Sequence, residues 1–124
     1  MINTININQW IYQRLSTDDE LKSLVDTQIY PIVVEENGKF PFVVFTRRNA
    51  QYSYDNDGLS GEQCNIVLTA VAKDYVTTVN IIQRLRKLLE FCHEDGIYSS
   101  RMQSLEEGYY NNCYVQTITI SFQF

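Results

Sequence analysis

The chain has 124 residues and a mass of 14.5 kDa, a size at which we expect one domain with one hydrophobic core. Its 44% hydrophobic and 20% charged residues are ordinary for a globular protein and argue against disorder. The net charge of -5 and the pI near 4.7 argue against a protein that grips nucleic acid, because neutralising phosphates requires clustered Lys and Arg.

Targeting signals and cysteine usage predict a cytoplasmic protein. The N-terminal residues contain no basic stretch followed by an apolar run, so we expect no secretory signal. Every apolar run is shorter than the roughly 20 residues that a membrane helix needs. Cys64, Cys92 and Cys113 are odd in number and widely spaced, which favours reduced thiols over a disulfide framework.

Two short helices are predicted first. From about Thr4 to Leu15, apolar residues recur at the three- and four-residue spacings of one helix face: Ile7, Trp10, Ile11 and Leu15. Thr17 or Asp18 is then expected to cap a second helix. The residues of that helix expected to face the core are Leu21, Leu24 and Val25.

Two strands are expected to follow. Residues 28–34 favour a strand, but Pro31 lacks the N–H that a central strand needs, so we place it at an edge or at a bulge. Asn37 and Gly38 tolerate positive φ and indicate a hairpin turn. The next strand is predicted from about Phe40 to Arg47.

Residues 49–60 are polar and predict a loop or the tip of a long hairpin, mobile in the free protein and ordered only beside a neighbour. A third strand is predicted from about Glu62 to Lys73. It alternates clearly, and its apolar face consists of Cys64, Ile66, Leu68, Ala70 and Ala72.

The main helix is predicted from about Tyr75 to Cys92, with Asp74 as its cap and Gly96 as its stop signal. Its apolar residues are Val79, Ile82, Leu85, Leu89 and Cys92. It is expected to lie across one face of the sheet, on Ile66, Leu68, Ile118 and Ile120.

A final hairpin is predicted from a weaker strand at about 97–105 and a strong strand at about 113–124. The strong strand alternates so regularly that one face must be covered. Because an open edge would favour aggregation, we expect this strand to pair inside the sheet or across a subunit boundary. The expected fold class is therefore α+β: a mainly antiparallel sheet with a long helix on one face and a short N-terminal helical segment.

No constellation of residues predicts chemistry. His93 beside Cys92 matches no chelate spacing, so we expect no metal ion and no cofactor. Asp55 and Asp57 begin like a calcium loop, but the later bidentate acidic ligand has no proper position. Adjacent carboxylates point in different directions and form no acid/base pair. We expect no catalytic residue.

Tyrosine is abundant, with 9 in the chain, and several fall in or near predicted turns. Exposed aromatic residues are enriched at protein interfaces, although tyrosine also simply suits strands and their ends. Both interpretations stay open. The candidate interface and loop residues are Tyr52, Tyr54, Asp55, Asp57, Tyr109 and Tyr110.

The order of these elements resembles the small tail-completion proteins (head-tail joining, tail-terminator-like) of long-tailed bacteriophages and prophages. The resemblance spans most of residues 15–89. It is carried by Leu15, Leu21 and Val25, by Ile29-Tyr30-Pro31, by Pro41-Phe42-Val43-Val44, by the passage from Val67 to Tyr75, and by Ile82 to Leu89 with Arg86.

The resemblance implies a homo-oligomeric ring, six-fold in symmetry, at the head-proximal end of the tail tube or in the neck. Such a ring ends tube growth or joins tail to head, and DNA passes through its neutral or acidic lumen without specific binding. The implied partners are tail-tube proteins and head-completion or connector proteins, without a membrane. The protein would occupy the bacterial cytoplasm during assembly and then the virion.

Two other classes of protein compete with this interpretation. A small dimeric α+β ligand-binding or regulatory module would form a closed two-fold assembly with an apolar pocket. An enzyme would need polar groups that converge in a cleft with perturbed ionisation.

Overall fold

The computed structural model describes residues 1–34 and 38–124. The elements in chain order are α1 (Ile7–Ser16), α2 (Asp19–Val25), β1 (Ile29–Pro31), β2 (Phe42–Asp55), β3 (Gly58–Ala72), α3 (Tyr75–Leu89), β4 (Ser99–Tyr110) and β5 (Cys113–Gln123). The five strands form one sheet in the order β1-β2-β3-β5-β4. Every neighbouring pair is antiparallel except β1 and β2, which confirms the predicted α+β class.

The hydrophobic core lies between the helices and one face of the sheet. Period-two alternation turns one set of strand residues toward α3, and the predicted contacts of that helix with β3 and β5 are confirmed. Ile81, which the predicted helix face omitted, is fully buried, whereas Val79 is only half-buried. The fully buried large side chains include Ile7, Ile11, Leu15, Leu21, Phe45, Ile66, Leu68, Leu85, Leu89, Ile118 and Phe122.

A polar contact fixes α2 against α3. The Asp18 carboxylate, which is the observed N-cap of α2, accepts a 2.9 Å hydrogen bond from the Leu21 amide. It also accepts bonds from Arg84 Nε at 2.8 Å and Arg84 Nη2 at 2.5 Å. These bonds from Arg84 hold the pKa of the Asp18 carboxyl below its usual value. The predicted Asp74 cap of α3 is also confirmed, since Asp74 accepts from the Thr77 amide.

The predicted hairpin between the first two strands is wrong. β1 spans only Ile29–Pro31 and pairs with β2 in parallel, with Ile29 opposite Val43. A two-residue turn joins only antiparallel strands, so the signal at Asn37 and Gly38 cannot have that meaning. The turn itself lies outside the described residues, because Asn37 is not among them. The predicted edge position of β1 is confirmed.

The main helix ends earlier than predicted. It stops at Leu89, because Glu90 has an extended ψ of 144° and Phe91 adopts a φ of +60°. Gly96 is therefore not its stop signal. Cys92 is still buried, but it lies outside the helix, and its amide donates to Ser100 Oγ at 2.8 Å. The helical spacing of Cys92 thus predicted its burial correctly and its secondary structure wrongly.

The C-terminal hairpin is longer and more regular than predicted. β4 extends to Tyr110, and Asn111 and Asn112 form the turn with φ of 51° and 63°. Asparagine tolerates this left-handed region, so the pair favours a tight hairpin turn. β5 lies between β3 and β4, which confirms the predicted pairing inside the sheet, and its apolar residues Ile118, Ile120 and Phe122 are buried in the core.

Candidate assembly surfaces

The most exposed part of the fold is a two-stranded extension that we call the arm, residues 47–63. Here β2 and β3 continue past the body as an antiparallel ribbon that turns at Asn56 and Asp57. Every residue from 47 to 60 is exposed. The second of the two predictions for residues 49–60, the tip of a long hairpin, is confirmed. Their mobility in the free protein stays a prediction.

The base of the arm is tied to the N-terminal segment. Thr4, which is 1% exposed, donates from its amide to Glu62 Oε1 at 2.7 Å, and its hydroxyl lies 2.9 Å from the Tyr52 hydroxyl. Arg47 donates to the carbonyls of Thr4 at 2.8 Å and Ile5 at 2.9 Å. Three residues on the arm thus bond the N-terminal segment around buried Thr4, and these contacts attach the base of the arm to the body.

An open cleft of about 650 Å³ lies where the arm meets the body. It brings together two predicted interface tyrosines, Tyr52 and Tyr54, with Tyr98 and the C-terminal Phe124. Tyr54 and Tyr98 are 71% and 73% exposed. Tyr52 and Tyr54 lie on the β2 strand of this hairpin, and the hydroxyl of Tyr52 already contacts Thr4 within the chain.

The acidic residues at the arm tip have a local structural role. Asp55 accepts a 2.8 Å hydrogen bond from the Asp57 amide, which shapes the turn. Among residues 1–34 and 38–124, no three His, Cys, Asp or Glu side chains come close enough together to hold a metal ion. The arrangement at the tip therefore gives a charged surface and not a chelate.

The other two candidate tyrosines lie at the opposite end of the sheet. Tyr109 and Tyr110 end β4, and Tyr109 pairs with Tyr114 of β5 at a ring distance of 4.9 Å. Tyr75 packs edge-on to Tyr114 at 5.8 Å and donates to Glu107 at 2.7 Å. The six candidate residues thus form two separate exposed groups, at the arm and at the far end of the β4–β5 hairpin.

The cysteines are buried and unsuited to nucleophilic chemistry. All three are free thiols. Burial raises the pKa of the Cys64 thiol to about 11 and also raises the pKa of the Cys92 thiol. Because the thiolate is the reactive form, both are poor nucleophiles at neutral pH. His93 lies on the surface, four residues past the end of α3.

Sequence reasoning missed the residues that position the arm. Thr4, Arg47 and Glu62 are far apart in the chain, and no local pattern connects them. Only the pairing of strands in space brings these residues into consideration.

The face of the sheet opposite the helices is uncharged along its two central strands. On β3 and β5 this face consists of Asn65, Val67, Thr69, Val71, Val115, Thr117, Thr119 and Ser121, all half-buried. Thr69 and Thr117 lie opposite each other with their hydroxyl oxygens 3.1 Å apart.

No helix in the described ranges has the length and apolar character that crossing a bilayer requires.

A comparison with solved structures finds the same fold in a protein of a virion. The chain of a solved structure titled "Virion of native gene transfer agent (GTA) particle" superimposes with a TM-score of 0.76 at 15% sequence identity. The match covers 91% of this chain and 90% of that chain, and at this identity the likeness shows the fold. No curated protein sequence matches the chain.

The model of one protein family, described as "Tail completion protein gp17", matches residues 9–106. This range begins in α1 and ends in β4, so it includes both the helix layer and the arm. The chain therefore belongs to the tail completion protein gp17 family, and it is a structural protein of the tail or neck of a phage-like virion.

Proposed function

We propose that the protein forms a homo-oligomeric, six-fold ring at the head-proximal end of the tail or in the neck. The ring ends tail-tube growth or joins the tail to the head, in contact with tail-tube and head-completion or connector proteins. It acts through its surfaces and has no catalytic activity. Assembly takes place in the cytoplasm of the bacterial host.

The observation that carries this proposal is the distribution of exposed surface. The arm leaves one end of the sheet, and the exposed tyrosines Tyr109 and Tyr110 lie at the other. Two different exposed surfaces on one chain favour head-to-tail contacts, which close into a ring when the rotation between copies allows it. A two-fold dimer would instead use one self-complementary surface.

The electrostatics support an axial path for DNA. A basic lumen would bind DNA through release of counterions and would oppose its passage. This chain has a net charge of -5, and the face of β3 and β5 opposite the helices is uncharged. We propose that a neutral or acidic surface of this kind lines the ring, so that DNA slides through without specific binding.

The deciding experiment is deletion of the gene in its phage or prophage, followed by electron microscopy of the particles. Overlong tails would support the terminator role, and separate heads and tails would support the joining role. Normal, joined virions with tails of regular length would refute both. Complementation with the intact gene is the control.

The ring itself is tested by imaging purified tails or necks. Rotational averaging of end views should give six copies of this chain around a central channel. A single copy, or a two-fold pair beside the channel, would contradict the ring while leaving the family membership untouched.

A further inference from the structure

The chain has an unfavourable backbone conformation just after α3. Phe91 is the second residue past the helix end at Leu89, and its φ is +60°. Glycine is the usual residue at this position of a helix end, because a Cβ is disfavoured in the left-handed region. A bulky aromatic residue is rare there. Phenylalanine at this position therefore costs stability.

Hydrogen bonds around buried Ser100 fix the conformation of Phe91. The Ser100 carbonyl accepts from the Phe91 amide at 2.7 Å, and the Ser100 hydroxyl accepts from the Cys92 amide at 2.8 Å. The same hydroxyl donates to the Leu89 carbonyl at 2.7 Å. Strained conformations persist where the surrounding contacts determine them in this way, and they cluster at functional sites.

The side chain of Phe91 does not offset this cost within its own chain. An aromatic side chain stabilises a folded protein mainly through burial, and Phe91 is 69% exposed. Neither its backbone nor its ring thus favours phenylalanine in the isolated chain. The combination favours a contact of the ring with another surface.

An open pocket at the other end of α3, which we call the tyrosine pocket, offers a surface of this kind. Its volume is about 290 Å³, and it is lined by Tyr75, Glu107, Gly108, Tyr109, Tyr114 and Val115. The Tyr75 hydroxyl donates to Glu107, so these two polar groups satisfy each other. An apolar cavity of about 150 Å³ is enough to hold benzene, so the pocket has room for a phenyl ring.

We infer that the Phe91 side chain of one copy inserts into the tyrosine pocket of the next copy, where its ring packs against Tyr75 and Tyr109. The occupant of the pocket is thus a second copy of this chain. This inference rests on the proposed ring and specifies a contact between its subunits.

The positions of Phe91 and the pocket favour a contact between copies. Tyr75 begins α3 and Phe91 follows its end, so the length of the 15-residue helix separates them, roughly 22 Å at 1.5 Å per residue. Phe91 therefore cannot fill the pocket of its own chain. An apolar group that fits a pocket elsewhere on the same molecule gives a head-to-tail contact, which can repeat from copy to copy.

The arm lies at the same end of the sheet as Phe91. Gln123 of β5 pairs with Gln63 at the base of the arm and with Ser99 at the start of β4. The Phe91 amide bonds the next residue of β4, Ser100. A copy that receives Phe91 in its tyrosine pocket therefore lies on the side to which the arm extends. One neighbour can thus contact both features.

Photo-crosslinking from position 91 identifies the occupant directly. Phe91 is replaced by p-benzoylphenylalanine, which keeps an aromatic ring there, and the altered gene complements the deletion in the phage or prophage. After irradiation of purified tails or necks, the covalent dimer should join position 91 to a peptide of a second copy that contains Tyr75 or residues 107–115. The same probe at exposed Ser23 on α2 is the control and should give no such product.

The size of the products tests the head-to-tail geometry. Trimers and larger species should appear, because each copy both inserts a ring and receives one. Products that stop at the dimer would show a reciprocal two-fold contact and would overturn the inference. So would a link from position 91 to another surface or to a different protein, or the absence of any product. Each of these results could occur with six copies visible in end views, so failure of this contact is distinguishable from failure of the ring.

A glycine variant separates the proposed contact from a structural role. Phe91→Gly removes the ring and relieves the unfavourable φ, so its stability in urea should equal or exceed that of wild type. The yield of complete particles in the complementation assay should nevertheless fall by roughly tenfold or more, since interface anchors of this kind dominate binding. Phe91→Tyr retains an aromatic ring and should restore most of the yield. A normal yield with Phe91→Gly, or a less stable protein, would refute the assignment.

Variants of the pocket test its side of the contact. Tyr109→Ala removes one wall of the tyrosine pocket and should lower the particle yield about as much as Phe91→Gly. Tyr12→Ala is the matched control, because Tyr12 is also an exposed tyrosine but lies on α1. Equal yields from Tyr109→Ala and Tyr12→Ala would show that the pocket is not the site that receives Phe91. Circular dichroism melting checks that each variant is folded.

Discussion

The body and the arm of this protein share the strands β2 and β3 and differ in how far the side chains of these strands are buried. In the body, β2 and β3 turn alternate side chains into the core, and residues such as Phe45 and Ile66 are fully buried. In the arm, the same strands have no residue buried on either face from 47 to 60. Burial explains why the body folds. It does not explain the arm, whose residues 47–60 are all exposed.

The largest expected difference between the two regions is in the free energy of unfolding. Leu85→Ala or Ile82→Ala empties a space in the core and should cost about 2–5 kcal/mol. Leu59→Ala on the arm, where Leu59 is 53% exposed, should cost less than about 0.5 kcal/mol. Urea denaturation of the three variants measures the difference. Similar losses for Leu85 and Leu59 would show that the arm is not a separate region.

An intermediate effect is expected where α2 is attached to α3. Asp18→Ala removes both the helix cap and the partner of Arg84 and should cost about 1–3 kcal/mol. Asp18→Asn retains capping ability and loses the ion pair, so it should cost less. Equal losses in the two variants would show that the cap contributes nothing.

The same carboxylate makes a pH-dependent contribution to stability. Since its pKa in the folded protein lies below the ordinary value of 3.8, its contribution is fully present above that pH. It is lost as the pH falls through the lowered value. The difference in unfolding free energy between wild type and Asp18→Asn should therefore be larger at pH 7 than at about pH 3. A difference that does not change with pH would contradict this assignment.

A smaller effect is expected where the arm joins the body. Tyr52→Phe removes the hydroxyl that contacts buried Thr4 and should cost about 0.5–1.5 kcal/mol. Tyr54→Phe is the matched control two residues further along the same strand, and it should change the stability little, because Tyr54 is 71% exposed. If the two variants are equally stable, the contact between Tyr52 and Thr4 does not hold the arm.

The last prediction concerns the sensitivity of the arm to proteases and involves no change in the sequence. In the isolated protein, limited proteolysis should cut first between residues 49 and 60, since this ribbon lacks a packed face. Assembled oligomers should resist cutting there. A monomer whose arm is as resistant as its body would argue against the predicted ordering by a neighbour.

The sequence predicted most accurately those elements whose side chains are selected by burial. The alternation in β3 and β5 and the spacing in α3 follow directly from one covered face, and the Asp18 and Asp74 caps follow from unpaired backbone amides. The parallel pairing of β1 could not be predicted, because it depends on a long-range contact and not on the turn residues between the strands.

The positions of the candidate assembly residues were predicted only in part for a related reason. Tyr52, Tyr54, Tyr109 and Tyr110 were correctly expected near the surface, but the sequence could not show that they lie at opposite ends of the sheet. That separation follows from the order of strands, in which β5 inserts between β3 and β4.

The insertion of β5 also has a consequence for the folding pathway. Apart from β1, the sheet consists of two hairpins, β2–β3 and β4–β5, each closed by a short turn, and the two hairpins pair along β3 and β5. The pairing of β3 with β5 brings Ala72 opposite Tyr114, and α3 lies in the chain between these two residues. Local hairpins close faster than contacts between distant residues. Docking of the two hairpins is therefore expected to be the slow step of folding, and until it occurs the apolar face of β5 is open to competing chains.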